Sequence, residues 1–155
     1  MSLPQIEADR LLAMPKFFAN RVSVVPFPHA DAFTTEYPLD GAGNREQFIL
    51  DLERGNRKRA RLKFQTRARK IFILARLDID GRPHRNPISA PHRPDERLVG
   101  THLHLYHENF ADRVAYLPTD LSRFSVPDDR NDVSWLVAFL RFCNVQNVPQ
   151  IQEEI

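Results

Sequence analysis

The chain has 155 residues, 42% of them apolar and 27% charged, which suffices for a buried core and excludes a disordered or fibrous protein. No apolar run approaches the roughly 20 residues a membrane-spanning helix needs, and a lone cysteine, Cys143, excludes an intramolecular disulfide. The formal charge of +2 hides an asymmetry: residues 54–70 hold nine of the 22 basic side chains and no acid, on an otherwise acidic body. A compact basic block is a candidate phosphate footprint. With no basic-then-apolar leader at the start, a reducing, cytoplasmic setting is expected.

Along the chain, Glu7 to Phe18 reads as a helix with acids in its first turn, which Pro15 should kink or end. Arg21 to Phe27 reads as extended, confined to an edge by Pro26 and Pro28. Phe33 to Leu39 is a further short strand, closed by a turn cluster from Asp40 to Asn44. Gln47 to Glu53 alternates, with Phe48, Leu50 and Leu52 on one face.

After a turn at Arg54-Gly55-Asn56, alternation runs from Arg57 to Arg69. Arg57, Arg59, Arg61, Lys63, Gln65, Arg67 and Arg69 fall on one side, and Ala60, Leu62, Phe64 and Ala68 on the other. A period of two is a strand signature, because helical spacing would scatter these cations round the axis. Asp51 and Glu53 share the facing side of the preceding strand and are expected to pair with part of the stripe.

Ile71 to Ile79 is apolar enough for a central strand, and Asp78-Ile79-Asp80-Gly81 reads as a turn too short for a calcium loop. Residues 82–97, with four prolines, four arginines and His84 and His92, read as a surface loop. Thr101 to Tyr106 and Ala111 to Leu117 read as a hairpin. Asp132 to Val145 is the strongest helix, capped by Asp132, with Val133, Leu136, Val137 and Leu140 in its apolar stripe and Trp135, Phe139 and Phe142 widening it. Residues 144–155 read as a polar tail. The order predicts a single α+β domain: an antiparallel twisted sheet of five to seven strands, with an N-terminal and a C-terminal helix packed on one face.

Two constellations carry chemistry. The basic stripe, with Arg57, Arg59, Arg61, Lys63, Arg67 and Arg69 as phosphate ligands, offers planar donors at strand spacing near the reach of successive nucleotides. In HLHLYH, His102, His104 and Tyr106 are expected on one strand face, with His84 and His92 able to fold over it. Two imidazoles so placed serve as an acid–base pair; a metal site wants a third ligand that no spacing fixes, so no metal and no cofactor are expected.

The segments EADRLLAMPK, RGNRKRARLKFQTRARKIFILARLDIDGRPH, HLHLYHE and FLRFCNV together resemble a family of uncharacterised bacterial proteins of about this length. A looser similarity, of size and composition, is to small ribonuclease toxins of toxin–antitoxin systems, and it implies RNA as the partner. The expected function is a nucleic-acid-binding protein acting as a metal-independent ribonuclease. In it His102 and His104, or Tyr106, exchange protons with the ribose 2′-hydroxyl and the leaving 5′-oxygen. The alternative is a non-enzymatic interaction module, antitoxin-like or a phage-encoded adaptor, whose basic strand meets an acidic protein.

Overall fold

The computed structural model describes residues 2–43, 45–56 and 61–154. Its elements in chain order are α1 (Gln5–Ala13), β1 (Lys16–Phe18), β2 (Val24–Pro28), β3 (Phe33–Gly41), β4 (Gln47–Arg54), β5 (Leu62–Ala68) and β6 (Phe72–Ile79). They continue with β7 (His84–Arg85), β8 (Arg97–Leu98), β9 (His102–His107), β10 (Ala111–Tyr116), a 3₁₀ turn (Pro118–Asp120), α2 (Asp132–Phe142) and β11 (Gln150–Glu154). Seven strands form one sheet in the order β1-β3-β4-β5-β6-β9-β10, with every neighbouring pair antiparallel. This is the α+β class the periodicities imply.

Alternation places the core. Phe48, Leu50 and Leu52 of β4, and Leu62, Phe64 and Ala68 of β5, join one buried cluster with Ala8, Leu11 and Leu12 of α1 and Trp135, Leu136 and Phe139 of α2. Phe64 lies 6.3 Å, centroid to centroid, from both Phe27 and Phe139. Each such ring contributes about 1.5–3 kcal/mol by leaving water.

Several boundaries move for local reasons. Met14 precedes a proline and is pushed into extended backbone, so α1 stops at Ala13 and Lys16 opens a strand instead of continuing a helix to Phe18. The side chain of Asn131, not Asp132, caps α2, accepting from the Val133 amide at 2.8 Å. In α2 the buried stripe centres on Trp135, Leu136, Phe139 and Leu140, while Val133 and Val137 are half-buried.

The long strand expected from Arg57 to Arg69 is shorter. β5 begins at Leu62, leaving Arg61 outside it, and Arg69 and Lys70 turn the chain with φ of 51° and 69°. Arg57 and Arg59 lie outside the described residues. The polar tail contains β11, which pairs in parallel with β2 from Gln150↔Val24 to Glu154↔Pro28.

The proline-rich segment 82–97 is not a plain loop. β7 and β8 pair within it, and Asn86, 2% exposed, fastens it to β10. The Asn86 amide nitrogen donates to the carbonyls of Ala115, His92 and Arg93, and its oxygen accepts from the Ala115 amide at 2.8 Å. A second fastening is Asp120, which accepts from Arg93 at 2.7 and 2.8 Å, from the Leu117 amide at 2.9 Å and faces His92 at 2.8 Å.

Candidate functional site

Sheet register assembles the polar residues. Antiparallel pairing sets Asp78 of β6 opposite His102 of β9, and Arg76 opposite His104. On the other side of β6, Lys63 stands opposite Asp78 and Gln65 opposite Arg76. Because side chains two apart share a face, Arg76, Asp78, His102 and His104 converge. Asp78 therefore belongs to a strand, not to the turn expected at 78–81; the turn begins at Asp80, with φ of 48°.

Both histidines are buried, each 1% exposed. Their ring centroids lie 4.9 Å apart. His102 Nδ1 meets the Gly100 carbonyl at 2.9 Å and His104 Nδ1 meets the Asp112 carbonyl at 2.8 Å. A carbonyl oxygen only accepts, so each Nδ1 carries a proton; at His104 the Nε2 lone pair takes the Arg76 guanidinium. Both Nε2 atoms stand 3.5 Å from Asp78 Oδ2. The Arg76 guanidinium donates to His104 Nε2 at 3.1 Å, Asp78 Oδ1 at 3.0 Å and Asp112 Oδ2 at 2.7 Å. Burial pushes the Asp78 carboxyl up, but the imidazoles of His102 and His104 and the charge of Arg76 outweigh it and hold it below the usual carboxylate range. Burial holds His104 below the usual imidazole range, against the pull of Asp78, and Arg76 and His102 add to the lowering.

Tyr106 does not share this face. A bulge sets Tyr106 against two residues of β10, since His107 pairs with Ala111 and Leu105 with Val114. The tyrosine packs with the core instead, edge-on to Phe72 at 6.2 Å, and its hydroxyl accepts from the Leu3 amide at 2.7 Å. His84 takes the place at the pair, 4.7 Å from the His104 ring and 6.1 Å from that of His102, its Nε2 meeting the Arg113 carbonyl at 2.8 Å. His92 goes elsewhere, stacked on Tyr116 at 4.3 Å.

The basic stripe divides. Arg67 is held by Asp51 at 2.7 Å and by Glu36 at 3.5 Å, and Arg69 by Glu7 at 2.9 Å and Glu46 at 3.0 Å. The pairing expected with the acids of the preceding strand thus accounts for Arg67. Lys63 approaches Glu53 only to 3.8 Å, with both half exposed, a geometry that holds little energy. Arg61 and Arg82 make no ion pair among the described residues. Phe64 is fully buried and presents no stacking face.

Arg61, Lys63 and Arg82 meet Arg76, Asp78, His84 and His104 around one cavity of about 350 Å³. A larger cavity, about 630 Å³, lies beside β3 and β4, but its Arg69 and Glu46 neutralise each other and no imidazole reaches it. Arg76, Asp78 and Asp112 escape a motif search because each sits on a different strand from the histidines or beyond a bulge. The readable signal is two polar residues, Arg76 and Asp78, at alternate positions of an otherwise apolar strand.

Fold and site together define an α+β domain with a cation-rimmed, histidine-floored cavity on its sheet. The chain belongs to the family of unknown function DUF6978, whose sequence profile matches residues 3–145. No curated protein and no solved structure matches it significantly. Among the described residues no helix is long and apolar enough to cross a membrane.

Proposed function

We propose that the protein binds nucleic acid, RNA before DNA, and acts at the cavity as a ribonuclease of toxin type. The observation that carries this reading is the convergence of Arg61, Lys63 and Arg82 with two imidazoles on one cavity. Guanidinium and ammonium groups attract a phosphodiester, and imidazoles supply the proton transfers that a 2′-hydroxyl attack needs. His84 and His104 line the cavity while His102 lies behind them, so the substrate-facing pair is His84 with His104. In this reading both helices cover the far face of the sheet, leaving the cavity to solvent, and the setting is cytoplasmic. A non-enzymatic module binding an acidic protein is the second reading, favoured by the burial of His102 and His104.

The test is fluorescence anisotropy with a labelled single-stranded RNA at about 50 mM salt, where counterion release makes phosphate contacts strongest. Replacing Arg61, Lys63 and Arg82 by Ala should weaken binding and reduce the slope of log affinity against log salt by about 2, at roughly 0.7 per phosphate contact on a single strand. Arg67→Ala, whose guanidinium is already held by Asp51, should leave that slope unchanged. Absence of binding at this salt refutes the reading. Binding without cleavage, in a protein whose His84→Ala variant behaves identically, leaves the interaction module.

A further inference from the structure

We propose that Asp78, His102 and His104 form a site for a divalent transition ion, with zinc as the ion that best suits the donors. One ligand atom from each residue lies within 4.8 Å of the other two. The spacing of the two histidines gives only two ligands; the register Asp78↔His102 supplies the third from the neighbouring strand.

Three features separate this cluster from a plain hydrogen-bonded group. First, the Nδ1–H groups of His102 and His104 are spent on the carbonyls of Gly100 and Asp112, the arrangement that orients ligating imidazoles and fixes their tautomer. Second, both Nε2 atoms stand 3.5 Å from the same carboxylate oxygen, Asp78 Oδ2, and that of His104 is an acceptor, since it receives the Arg76 guanidinium. That distance exceeds a good hydrogen bond, yet it matches the edge of a zinc tetrahedron, about 3.4 Å for ligand bonds near 2.0–2.2 Å. Third, charge favours a cation. Arg76 is shared between Asp78 at 3.0 Å and Asp112 at 2.7 Å, so the cluster sets two carboxylates against one guanidinium and carries excess negative charge. On binding, Arg76 would release His104 Nε2 and keep Asp78 Oδ1 and Asp112. The fourth position would face the cavity rimmed by Arg61, Lys63 and Arg82, where water or an anion completes the shell.

The ion site takes the His104 Nε2 that the nucleic-acid reading gives to proton transfer, so the two are alternatives at that atom and this inference does not rest on the other. Titration therefore uses the full chain without RNA. Zinc is added to metal-free protein in a calorimeter, and cobalt is added in parallel to read the ligand-field bands of a tetrahedral site. The expected result is a single ion per chain, a tetrahedral cobalt spectrum, and affinity lower by at least about tenfold in Asp78→Asn and in His102→Gln. Zinc should also raise the melting temperature of the wild type more than that of either variant. Should Asp78→Asn fail to fold, His102→Gln and His104→Gln carry the comparison. Absence of binding at micromolar protein, or binding that both histidine variants retain undiminished, overturns the proposal. A protein that binds zinc and ignores RNA keeps this inference and loses the preceding one.

Discussion

Replacing Lys16 by Met should destabilise the protein more than any other single change to a side chain outside the apolar core. Lys16 is 0% exposed, and its ammonium donates to the carbonyls of Leu12 at 2.8 Å, Met14 at 3.0 Å and Cys143 at 2.8 Å. These carbonyls end or follow α1 and α2, where no backbone amide remains to satisfy them. The ring of Phe48 adds a cation–π contact at 4.8 Å. Methionine fills similar space but donates nothing, so two buried carbonyls and one part-buried carbonyl lose their partner at about 1–3 kcal/mol each. Against this stands the cost of burying the charge, which lowers Lys16 to about 8. Measured from an ordinary lysine near 10.4, that penalty is about 3 kcal/mol. With the cation–π contact adding about 0.5–2 kcal/mol, the net loss expected at neutral pH is about 0.5–8 kcal/mol, read as a lower urea midpoint with an unchanged slope. The sign with pH follows. Between about pH 8 and 10.4 the unfolded chain holds a proton that the folded chain has released, so this group's contribution to stability rises with pH. Wild type should gain stability over that window relative to Lys16→Met. A variant within about 0.5 kcal/mol of wild type at pH 7, the range of ordinary surface substitutions, refutes the reasoning.

Two further predictions concern the segment that carries His84. Asn86→Ala should cost about 2–4 kcal/mol through its lost hydrogen bonds to buried backbone, and hydrogen exchange should quicken at Ala115 and across residues 84–97. Asp120 lies below the ordinary carboxylate range because Arg93 hydrogen-bonds it, with His92 and the Leu117 amide adding to that effect against burial. Its stabilisation is therefore complete above about pH 4 and fades as pH falls below that. Asp120→Asn should show a flatter loss of stability in acid titration followed by circular dichroism.

The sheet was legible wherever one face of a strand was buried and the other wet. Gln47 to Glu53 and Lys63 to Arg67 alternate in sequence and alternate in the fold, because a one-residue slip would expose every apolar group. Where a third force intervened, the pattern misled. Arg69 has the parity of a strand residue, but the chain turns there and acids from α1 and the segment before β4 capture it. Tyr106 has the parity of the histidines, but it packs with Phe72 in the core cluster and bonds the Leu3 amide. The ion-ligand set was half visible: HxH is local, while Asp78 joins it only through pairing between strands separated by more than twenty residues. β11 was invisible because its composition is polar, and it gains its place by completing the hydrogen bonds of β2, two of whose five residues are prolines.

The pairing of β2 with β11 has a consequence for synthesis. β2 has its hydrogen-bonding partner in residues 150–154, and the ammonium of Lys16 has one of its three carbonyls at Cys143. A ribosome releases the chain from its N-terminus, so β3, β4, β5 and β6 can pair with their sequence neighbours while β2 and Lys16 still lack theirs. The apolar side of β2, Val25 and Phe27, 2% and 0% exposed in the finished fold, stays without its parallel partner strand for most of that time. An unpaired strand edge held open during translation invites pairing with other chains, so residues 24–28 stay exposed to that hazard until residues 150–154 have emerged.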